Sequence, residues 1–364
     1  MIQSSTLIYS GWRFVLIALT LSLNANAQLE ESIGASFYRG FIFAHSKDVE
    51  NTAGSNPIGF QLEWNKQLLD EKTWQICNCF PRKGFLFQYF DYDNIILGKS
   101  AHLVTYIEPY WGYGRRISAS LKGMSGLAFL SNPYSSIKNP TNQSYSLPLA
   151  VYVSLGLGFH ARVTKKLNVN MYANYNHISN GGIKDPNKGI NWPTMSIGFD
   201  YIMQSVVLPP RTKHTYDKSS ALKTWEIIPF WSSRTLVAGE KKRWHIFGIA
   251  GLYTKQVAHI SALTFGAEVW HDYSLQERLN RDTTNGASAT RLGGLAGHVF
   301  LMGKISLSQQ LGVYILNPSN YFPLLYQRYG LQFKLNRNWS IGTNVLVHGH
   351  VANFLDFRLA HVLK

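Results

Sequence analysis

Residues 147–163 read LPLAVYVSLGLGFHARV, and the alternation of their side chains gives the clearest indication of the fold. Every odd-numbered position from Leu147 to Val163 is apolar, whereas most even-numbered positions carry small or polar side chains. Successive side chains of a β-strand point to opposite faces, so the alternation predicts one long strand with an apolar face and a polar face. The run is longer than the roughly 5–6 residues usual in soluble sheets, which favours a strand that crosses a membrane.

The next segment repeats the pattern with a row of asparagines. After a short turn at 164–166, residues 167–176 read LNVNMYANYN, with Asn at four of the five even-numbered positions. Buried amides without partners lose free energy, so such a row is costly in a dry core and suits a hydrated interior. Apolar side chains outside and polar ones inside are typical of an outer-membrane β-barrel. A secreted β-sandwich is the alternative, because its strands alternate as well.

Similar alternating segments follow through the rest of the sequence, and no stretch of about 18 apolar residues interrupts them. We therefore predict an all-β protein, an antiparallel transmembrane (outer-membrane) β-barrel of roughly 12–16 strands. Aromatic residues recur near segment ends and indicate girdles at the two membrane surfaces. They are Tyr106, Tyr110, Trp111, Tyr113, Trp225 and Trp231.

The first 27 residues have the pattern of a secretory signal peptide. Arg13 precedes an apolar run from Phe14 to Leu23, and Ala25-Asn26-Ala27 forms an Ala-x-Ala cleavage pattern. A membrane anchor is the less favoured alternative, because the apolar run is shorter than the roughly 20 residues of a spanning helix. The sequence therefore predicts export, with cleavage after Ala27, and a final location in the bacterial outer membrane.

The composition is basic and aromatic. It includes 35 Lys and Arg against 20 Asp and Glu, a formal net charge of +15, together with 10 Trp, 20 Tyr and 20 Phe. The aromatic content excludes a disordered chain. The cations are scattered or stand in short runs such as Lys241-Lys242-Arg243, which are typical of turns. We therefore expect no nucleic-acid partner, and a basic surface that faces anionic lipid head groups.

Cys77 and Cys79 are the two cysteines of the sequence. If the segment is a strand, their side chains lie on one face, so a local disulfide and two free thiols both remain open. A Cys-x-Cys pair alone is a poor metal site.

The residues that carry chemistry follow the row of asparagines, where residues 175–191 read YNHISNGGIKDPNKGIN. His177 and Ser179 are two apart, hence on one face of a strand, and by parity they continue the apolar, lipid-facing row. The pair could act as general base and nucleophile. Asn180 and the backbone N–H groups of the two glycines after it could stabilise an oxyanion. The alternative is an unreactive His and Ser at a membrane interface.

This motif resembles the active-site motif of the lipid A 3-O-deacylases, outer-membrane barrels with a serine esterase site on the lipid-facing wall. The resemblance rests on His177-Ile178-Ser179-Asn180 followed by Gly182-Ile183-Lys184, Pro186-Asn187 and Gly189. It implies Ser179 as nucleophile, His177 as general base, and Asn180 and Gly182 at the oxyanion hole. It also implies lipid A or lipopolysaccharide as substrate, with no metal and no cofactor.

One position departs from that family. Where the deacylases carry a Glu that orients the histidine, this sequence has Asn191. An amide can orient a neutral imidazole but cannot stabilise an imidazolium as a carboxylate does. Asn191 is therefore the candidate third member of the site, with Asp185 or Asp200 as the alternatives.

Residues 28–205 form the deacylase-like half, which is similar to the longer proteins labelled acyloxyacyl hydrolase-like. Residues 206–364 supply a second set of strands, which we expect to complete the same barrel, although two barrels remain open. Gly156-Leu157-Gly158-Phe159 recurs as Gly330-Leu331-Gln332-Phe333, a hint of duplication that barrel statistics alone could also produce.

Taken together, these features predict an outer-membrane serine esterase that removes ester-linked acyl chains from lipid A or a related outer-leaflet lipid. A non-catalytic outer-membrane barrel, serving as a channel or a lipid-binding structural protein, is the alternative. The sequence gives no prediction for the oligomeric state.

Overall fold

The computed structural model describes residues 29–237, 240–282, 287–349 and 351–363. The predicted signal peptide lies outside these residues. None of the helices in the described ranges is both long and apolar enough to span a membrane. The strands are β1 Leu29–Gly40, β2 Ile58–Leu68, β3 Arg82–Asp91, β4 Lys99–Glu108, β5 Tyr110–Trp111, β6 Ile117–Leu130, β7 Leu149–Arg162, β8 Leu167–Ser179, β9 Ile190–Gln204, β10 Lys223–Arg234, β11 Trp244–Ala258, β12 Ser261–Asp272, β13 Thr290–Met302, β14 Ile305–Leu316, β15 Leu325–Lys334, β16 Trp339–His348 and β17 Val351–Leu363; the α-helices are α1 Glu71–Cys77 and α2 Tyr273–Arg281.

Eight long antiparallel strands form the first barrel. Neighbours in the chain pair with each other, β4 pairs with β6, and β1 pairs with β9 to close the sheet. The two-residue strand β5 pairs with the start of β6. The predicted fold class, an all-β antiparallel barrel, is confirmed.

The second set of strands closes on itself rather than joining the first. Strands β10 to β17 form a closed barrel in which β10 pairs with β17. This differs from the expectation that residues 206–364 complete the same barrel. Because β1 already pairs with β9, the first sheet has no free edge to accept β10, and eight strands suffice to enclose a core filled by side chains. The protein therefore contains two eight-stranded barrels.

The alternation of side chains agrees with the prediction from residues 147–176. Leu155 and Leu157 of β7 point outward and are both 56% exposed, whereas Asn170 and Asn176 of β8 point inward and are both 0% exposed. The apolar surface is therefore on the outside and the polar surface inside, the reverse of a soluble domain.

The prediction of aromatic girdles is only half correct. Trp111, Trp225 and Trp231 are exposed on the outer surface, but Tyr106 and Tyr110 point into the first barrel and are each 4% exposed. Strand parity places these two tyrosines inward, where large side chains fill the narrow interior.

Ion pairs occupy the middle of both barrels. The pairs are Lys122–Glu63 at 2.5 Å and Arg82–Asp200 at 2.9 Å in the first barrel, and Arg328–Glu268 at 2.9 Å and Arg328–Asp356 at 2.6 Å in the second. All of these side chains are at most 3% exposed. Buried charges need such partners, and together they plug the barrel interior with polar groups.

We call the end of the molecule that carries loop 180–189 the motif end. At the opposite end, α1 and the linker 205–222 pack together, with Trp74 Nε1 donating to Thr212 O at 2.8 Å. Cys77 and Cys79 form a disulfide there. The segment is the end of a helix and not a strand, because Asn78 adopts a left-handed conformation with φ 51° and terminates α1.

The two segments that suggested duplication occupy equivalent places. Residues 156–159 lie in β7, the sixth long strand of the first barrel, and residues 330–333 lie in β15, the sixth strand of the second. The shared position agrees with the hint of duplication in the sequence.

Candidate active site

The motif lies where β8 ends and β9 begins. Strand β8 ends at Ser179, and β9 begins at Ile190. Asn191 therefore belongs to a strand and not to the loop that follows the motif. Since β8 and β9 are antiparallel neighbours, His177 lies directly opposite Asn191 in the sheet.

The side chains of His177 and Asn191 meet across the two strands. His177 Nδ1 lies 2.7 Å from Asn191 Oδ1, and Asn191 Nδ2 lies 2.9 Å from Nδ1 of His45. With the amide oriented in this way, His177 Nδ1–H donates to Asn191, and Asn191 donates to His45. This tautomer leaves the lone pair of His177 on Nε2, the nitrogen that a general base would use.

His45 was not assigned a role from the sequence. It lies in the loop after β1, and the backbone N–H of Phe43 donates to Asn191 O at 2.8 Å, which pins that loop beside β9. Its distance of 146 residues from Asn191 hides the contact from any local pattern. The sequence offered one signal, namely that His45 lies within residues 28–205, the part that is similar to the acyloxyacyl hydrolase-like proteins.

Ser179 points outward on the same face as His177, two residues along β8. Both side chains are half-buried, and Ser179 is opposite Val151 of the neighbouring strand β7. Within the described ranges, the Ser179 hydroxyl makes no hydrogen bond to His177. A hydrogen bond between a base and a nucleophile commonly tightens only when substrate binds.

Asn180 is 4% exposed and holds the loop together. Its Nδ2 donates to Lys184 O at 2.8 Å and faces Ser146 Oγ at 3.4 Å, while its Oδ1 accepts from Ile183 N–H at 3.1 Å. Its backbone N–H donates to Asn187 Oδ1 at 2.8 Å. The donors of Asn180 are therefore engaged inside the loop.

Gly181 and Gly182 dock the loop against β17 of the second barrel. Their φ angles are +66° and +76°, a left-handed conformation that favours glycine. A Cβ on Gly181 would lie 2.7 Å from Leu355 Cβ, and one on Gly182 would lie 2.7 Å from Asn353 O. Leu355 N–H also donates to Gly181 O at 2.8 Å. No N–H of these two glycines donates a hydrogen bond among the residues that the structure describes.

The two alternative carboxylates lie elsewhere. Asp200 points into the first barrel and pairs with Arg82. Asp185 lies in the motif loop, where its N–H donates to Thr235 Oγ1 at 3.2 Å and its carboxylate is 3.8 Å from Arg234 Nη2. Burial raises the pKa of Asp185, although the nearby cations oppose the shift. Neither carboxylate hydrogen-bonds to His177, whereas Asn191 does.

Across the described ranges, no group of three or more His, Cys, Asp or Glu side chains is arranged to hold a metal ion.

The solved structures to which the chain is similar are distant in sequence. Neisserial surface protein A is 10% identical, with 48% of this chain and 98% of that chain covered and a TM-score of 0.31. A triple mutant of the Rh. blastica porin is 9% identical, with coverage of 92% and 100% and a TM-score of 0.20. The siderophore receptor PirA from Acinetobacter baumannii is 7% identical, with coverage of 87% and 68% and a TM-score of 0.23.

Family models match both barrels. No curated protein is significantly similar to the chain in sequence. Residues 58–200 match the family described as lipid A 3-O-deacylase (PagL), and residues 223–364 match the one described as acyloxyacyl hydrolase, C-terminal domain. The resemblance noted from the motif is thereby confirmed: the first barrel matches the lipid A 3-O-deacylase family, and the second barrel matches the acyloxyacyl hydrolase C-terminal domain.

Proposed function

We propose that this protein is an outer-membrane serine esterase that removes an ester-linked acyl chain from lipid A or a related outer-leaflet lipid. Ser179 is the nucleophile, His177 the general base and Asn191 the group that orients the imidazole. The observation that carries the proposal is the 2.7 Å contact between His177 Nδ1 and Asn191 Oδ1, on the wall that also presents Ser179. The family supports a lipid A deacylase as the broader class.

The reaction follows the logic of other serine esterases. His177 Nε2 takes the proton of Ser179 Oγ, and Oγ attacks the carbonyl carbon of the ester. The tetrahedral intermediate collapses, the sugar oxygen leaves with the proton from His177, and the acyl chain stays on Ser179. Water then gives a proton to His177 and attacks the acyl-enzyme, which releases the fatty acid and restores the serine.

The oxyanion needs donors close to Ser179. We assign this role to the backbone N–H groups of Gly181 and Gly182, because these two groups make no hydrogen bond among the described residues. Preorganised backbone donors of this kind are worth a factor of about 10²–10³ in rate. Asn180 shapes the loop that presents them, which revises the direct role that the motif implied for its side chain.

Asn191 makes the orienting group neutral. Its amide fixes the ring and the tautomer, but it adds no negative charge to stabilise the imidazolium that forms during the reaction. His45 in turn accepts a hydrogen bond from Asn191, at 2.9 Å, and so holds the amide in the useful orientation. We expect a working site that is slower than one with a carboxylate.

The apolar side chains on the outer surface support the proposed location in the outer membrane. Outward positions along the strands are apolar and widely exposed, which only a lipid environment makes favourable. Ser179 lies at the end of its strand, so its hydroxyl would face the boundary between acyl chains and head groups. An ester linkage of lipid A lies at that same boundary.

Mass spectrometry of lipid A from cells that express the protein tests the proposal. We expect lipid A that has lost one acyl chain with the wild-type chain, and unmodified lipid A with Ser179→Ala. Ser125→Ala is the matched control, since Ser125 is an outward-facing serine of β6, two strands away from His177 in the sheet. Acyl release that survives in the Ser179→Ala variant would overturn the mechanism.

A non-catalytic barrel is the second candidate, and the neutral Asn191 is the observation that favours it. Ion pairs across the interior of both barrels oppose a channel. Unchanged lipid A with a correctly inserted wild-type protein would favour this structural role.

A further inference from the structure

A polar cavity lies between the motif loop and the second barrel. It encloses about 350 Å³ at the motif end. One wall is the motif loop itself, at residues 185–188, and the others come from the end of β10, from α2 and from the start of β17. The cavity therefore begins a few residues beyond Ser179, on the head-group side of the proposed esterase site.

Three cationic side chains line this cavity. Lys188 comes from the motif loop, Arg234 from the end of β10 and Arg278 from α2. All three partly oppose the rise in the pKa of Asp185 that burial causes, so their charges converge on one wall. The cavity is thus built by both barrels and carries an excess of positive charge.

The two guanidinium groups are held mainly by uncharged partners. Arg234 Nη1 donates to Asn353 O at 2.9 Å. Arg278 donates to Tyr321 Oη at 3.0 Å and to Leu236 O at 3.2 Å. In the described ranges, no carboxylate lies within ion-pair distance of Arg278. Both guanidinium groups are therefore fixed in place, with most of their charge left to a ligand.

The acidic side chains of the cavity do not cancel this charge. Asp272 is paired with Arg291 at 2.7 Å and caps α2 by accepting from Leu275 N–H at 3.0 Å. Asp185 forms a long ion pair with Arg234, at 3.8 Å, and Lys188 pairs with Asp48 at 2.8 Å, so these contacts offset the positive charge only in part and leave Arg278 without a carboxylate partner in the described ranges.

We propose that this cavity binds the phosphorylated sugar head group of the lipid that the esterase site cleaves. Phosphate offers several acceptor oxygens, which suit paired arginines, and the volume falls within the roughly 300–1,000 Å³ of small-ligand sites. Tyr321, 42% exposed at the cavity wall, offers an aromatic face for a sugar ring. The proposal rests on the proposed function for the ester, but phosphate binding does not require hydrolysis.

The arrangement accounts for the second barrel. A head group in the cavity would place its acyl chains along the outward apolar wall, where Val151 and Tyr175 are 43% and 48% exposed. Ser179 lies between these two regions. The second barrel thus supplies binding and positioning, while the first supplies the reactive groups.

Binding in the absence of hydrolysis tests the cavity. The full chain with Ser179→Ala is titrated in detergent micelles with phosphorylated lipid A and with lipid A dephosphorylated by a phosphatase. We expect Arg278→Gln to weaken binding of the phosphorylated form by about tenfold or more, and binding of the dephosphorylated form by less than about twofold. Equal weakening for both forms, or none, would overturn the proposal.

Two further variants test whether misfolding or net charge explains the weaker binding. Lys188→Gln changes a partly exposed side chain whose ion-pair partner, Asp48, lies outside the cavity lining, and we expect the same selective loss from it. Arg337→Gln removes one charge in an exposed turn at the opposite end and should leave both affinities unchanged. Weakening by Arg337→Gln equal to that by Lys188→Gln would reduce the effect to net charge and contradict the assignment.

Titration with inorganic phosphate alone distinguishes free phosphate from a lipid head group as the ligand. Binding as tight as that of phosphorylated lipid A would make the free anion the ligand and overturn the assignment to a head group, whereas weaker binding supports it. Acyl release by the wild-type chain is a separate measurement. The esterase proposal and the cavity proposal can therefore fail independently.

Discussion

Asn191 contacts two histidines at once, and its chemistry separates orientation of the base from stabilisation of its charge. A carboxylate does both, whereas an amide does only the first. The structure places the amide so that His177 donates to its oxygen and His45 accepts from its nitrogen. The chain therefore offers a direct test of how much orientation contributes on its own.

We expect Asn191→Ala to lower the rate of acyl release by about tenfold to a thousandfold, because the ring loses its fixed tautomer while nucleophile and base remain. Asn191→Asp is nearly the same size and should retain or raise activity, since its carboxylate can accept from His177 Nδ1–H and stabilise the charged ring. The kcat of purified variants on lipid A in micelles measures both effects. An Asn191→Ala variant as active as the wild type would remove Asn191 from the site.

Asp185 makes the stability of the folded protein depend on pH. Burial raises its pKa in the folded protein, so the folded state favours the protonated form. The contribution of Asp185 to stability is therefore fully present below its ordinary pKa and is lost as the pH rises through the raised folded value. We expect Asp185→Asn to be more stable than the wild type at neutral pH and to show a flatter dependence on pH above about 4.

The apparent melting temperature in detergent, measured from acidic to neutral pH, checks this expectation. Parallel curves for the wild type and Asp185→Asn would contradict it. Asp217→Asn is a suitable comparison, because hydrogen bonds from Ser219 lower the pKa of Asp217 and reverse the expected direction.

Among the elements of the fold, the loop 180–189 joins β8 to β9 in the first barrel and also contacts the second barrel. Gly181 and Gly182 lie against β17 with no room for a side chain, and other residues of the loop bond to one another and to the second barrel. A Cβ at Gly182 would meet the backbone of Asn353, which cannot move without disturbing the barrel. The loop is therefore shaped by its own sequence and by the second barrel together.

We expect Gly182→Ala to impair acyl release strongly. An alanine at this position would have to adopt an unfavourable positive φ, which costs about 1–2 kcal/mol, and its methyl group would push the loop off β17. Gly54→Ala is the control, since Gly54 has a similar φ of +80° but no neighbour within 4 Å. A shift in gel mobility on boiling first confirms that both variants are folded. Activity assays on the two variants then distinguish the effect of the unfavourable φ from the effect of lost docking against β17. Equal activity would show that docking against β17 is dispensable.

Strand pattern and motif were predictable because both are local. Period-two alternation in residues 147–176 predicted which side chains face outward, and the spacing of His177 and Ser179 predicted their common face. The contact between Asn191 and His45 was not predictable, because it depends on register and on a loop far away in sequence. Closure into two barrels was not predictable either. One large barrel and two small barrels would use the same alternating strands and would differ only in which edge strands pair.

For the whole molecule, the apolar outer surface and polar interior require a lipid or detergent environment. We expect the mature protein to fractionate with the outer membrane and to migrate differently on gels before and after boiling, because closed barrels resist unfolding in cold detergent. Recovery as a soluble monomer would contradict the membrane placement.

The order of strand pairing has a consequence for assembly. Nearly every pairing joins neighbours in the chain, and only the pairs β1–β9 and β10–β17 join distant segments, so these two closures are the slow steps. The first barrel can close while the second is still being delivered. The motif loop docks on β17, the last strand of the chain, so its final shape waits for that strand to pair with β10. We therefore expect esterase activity to mature later than closure of the barrel that carries its serine.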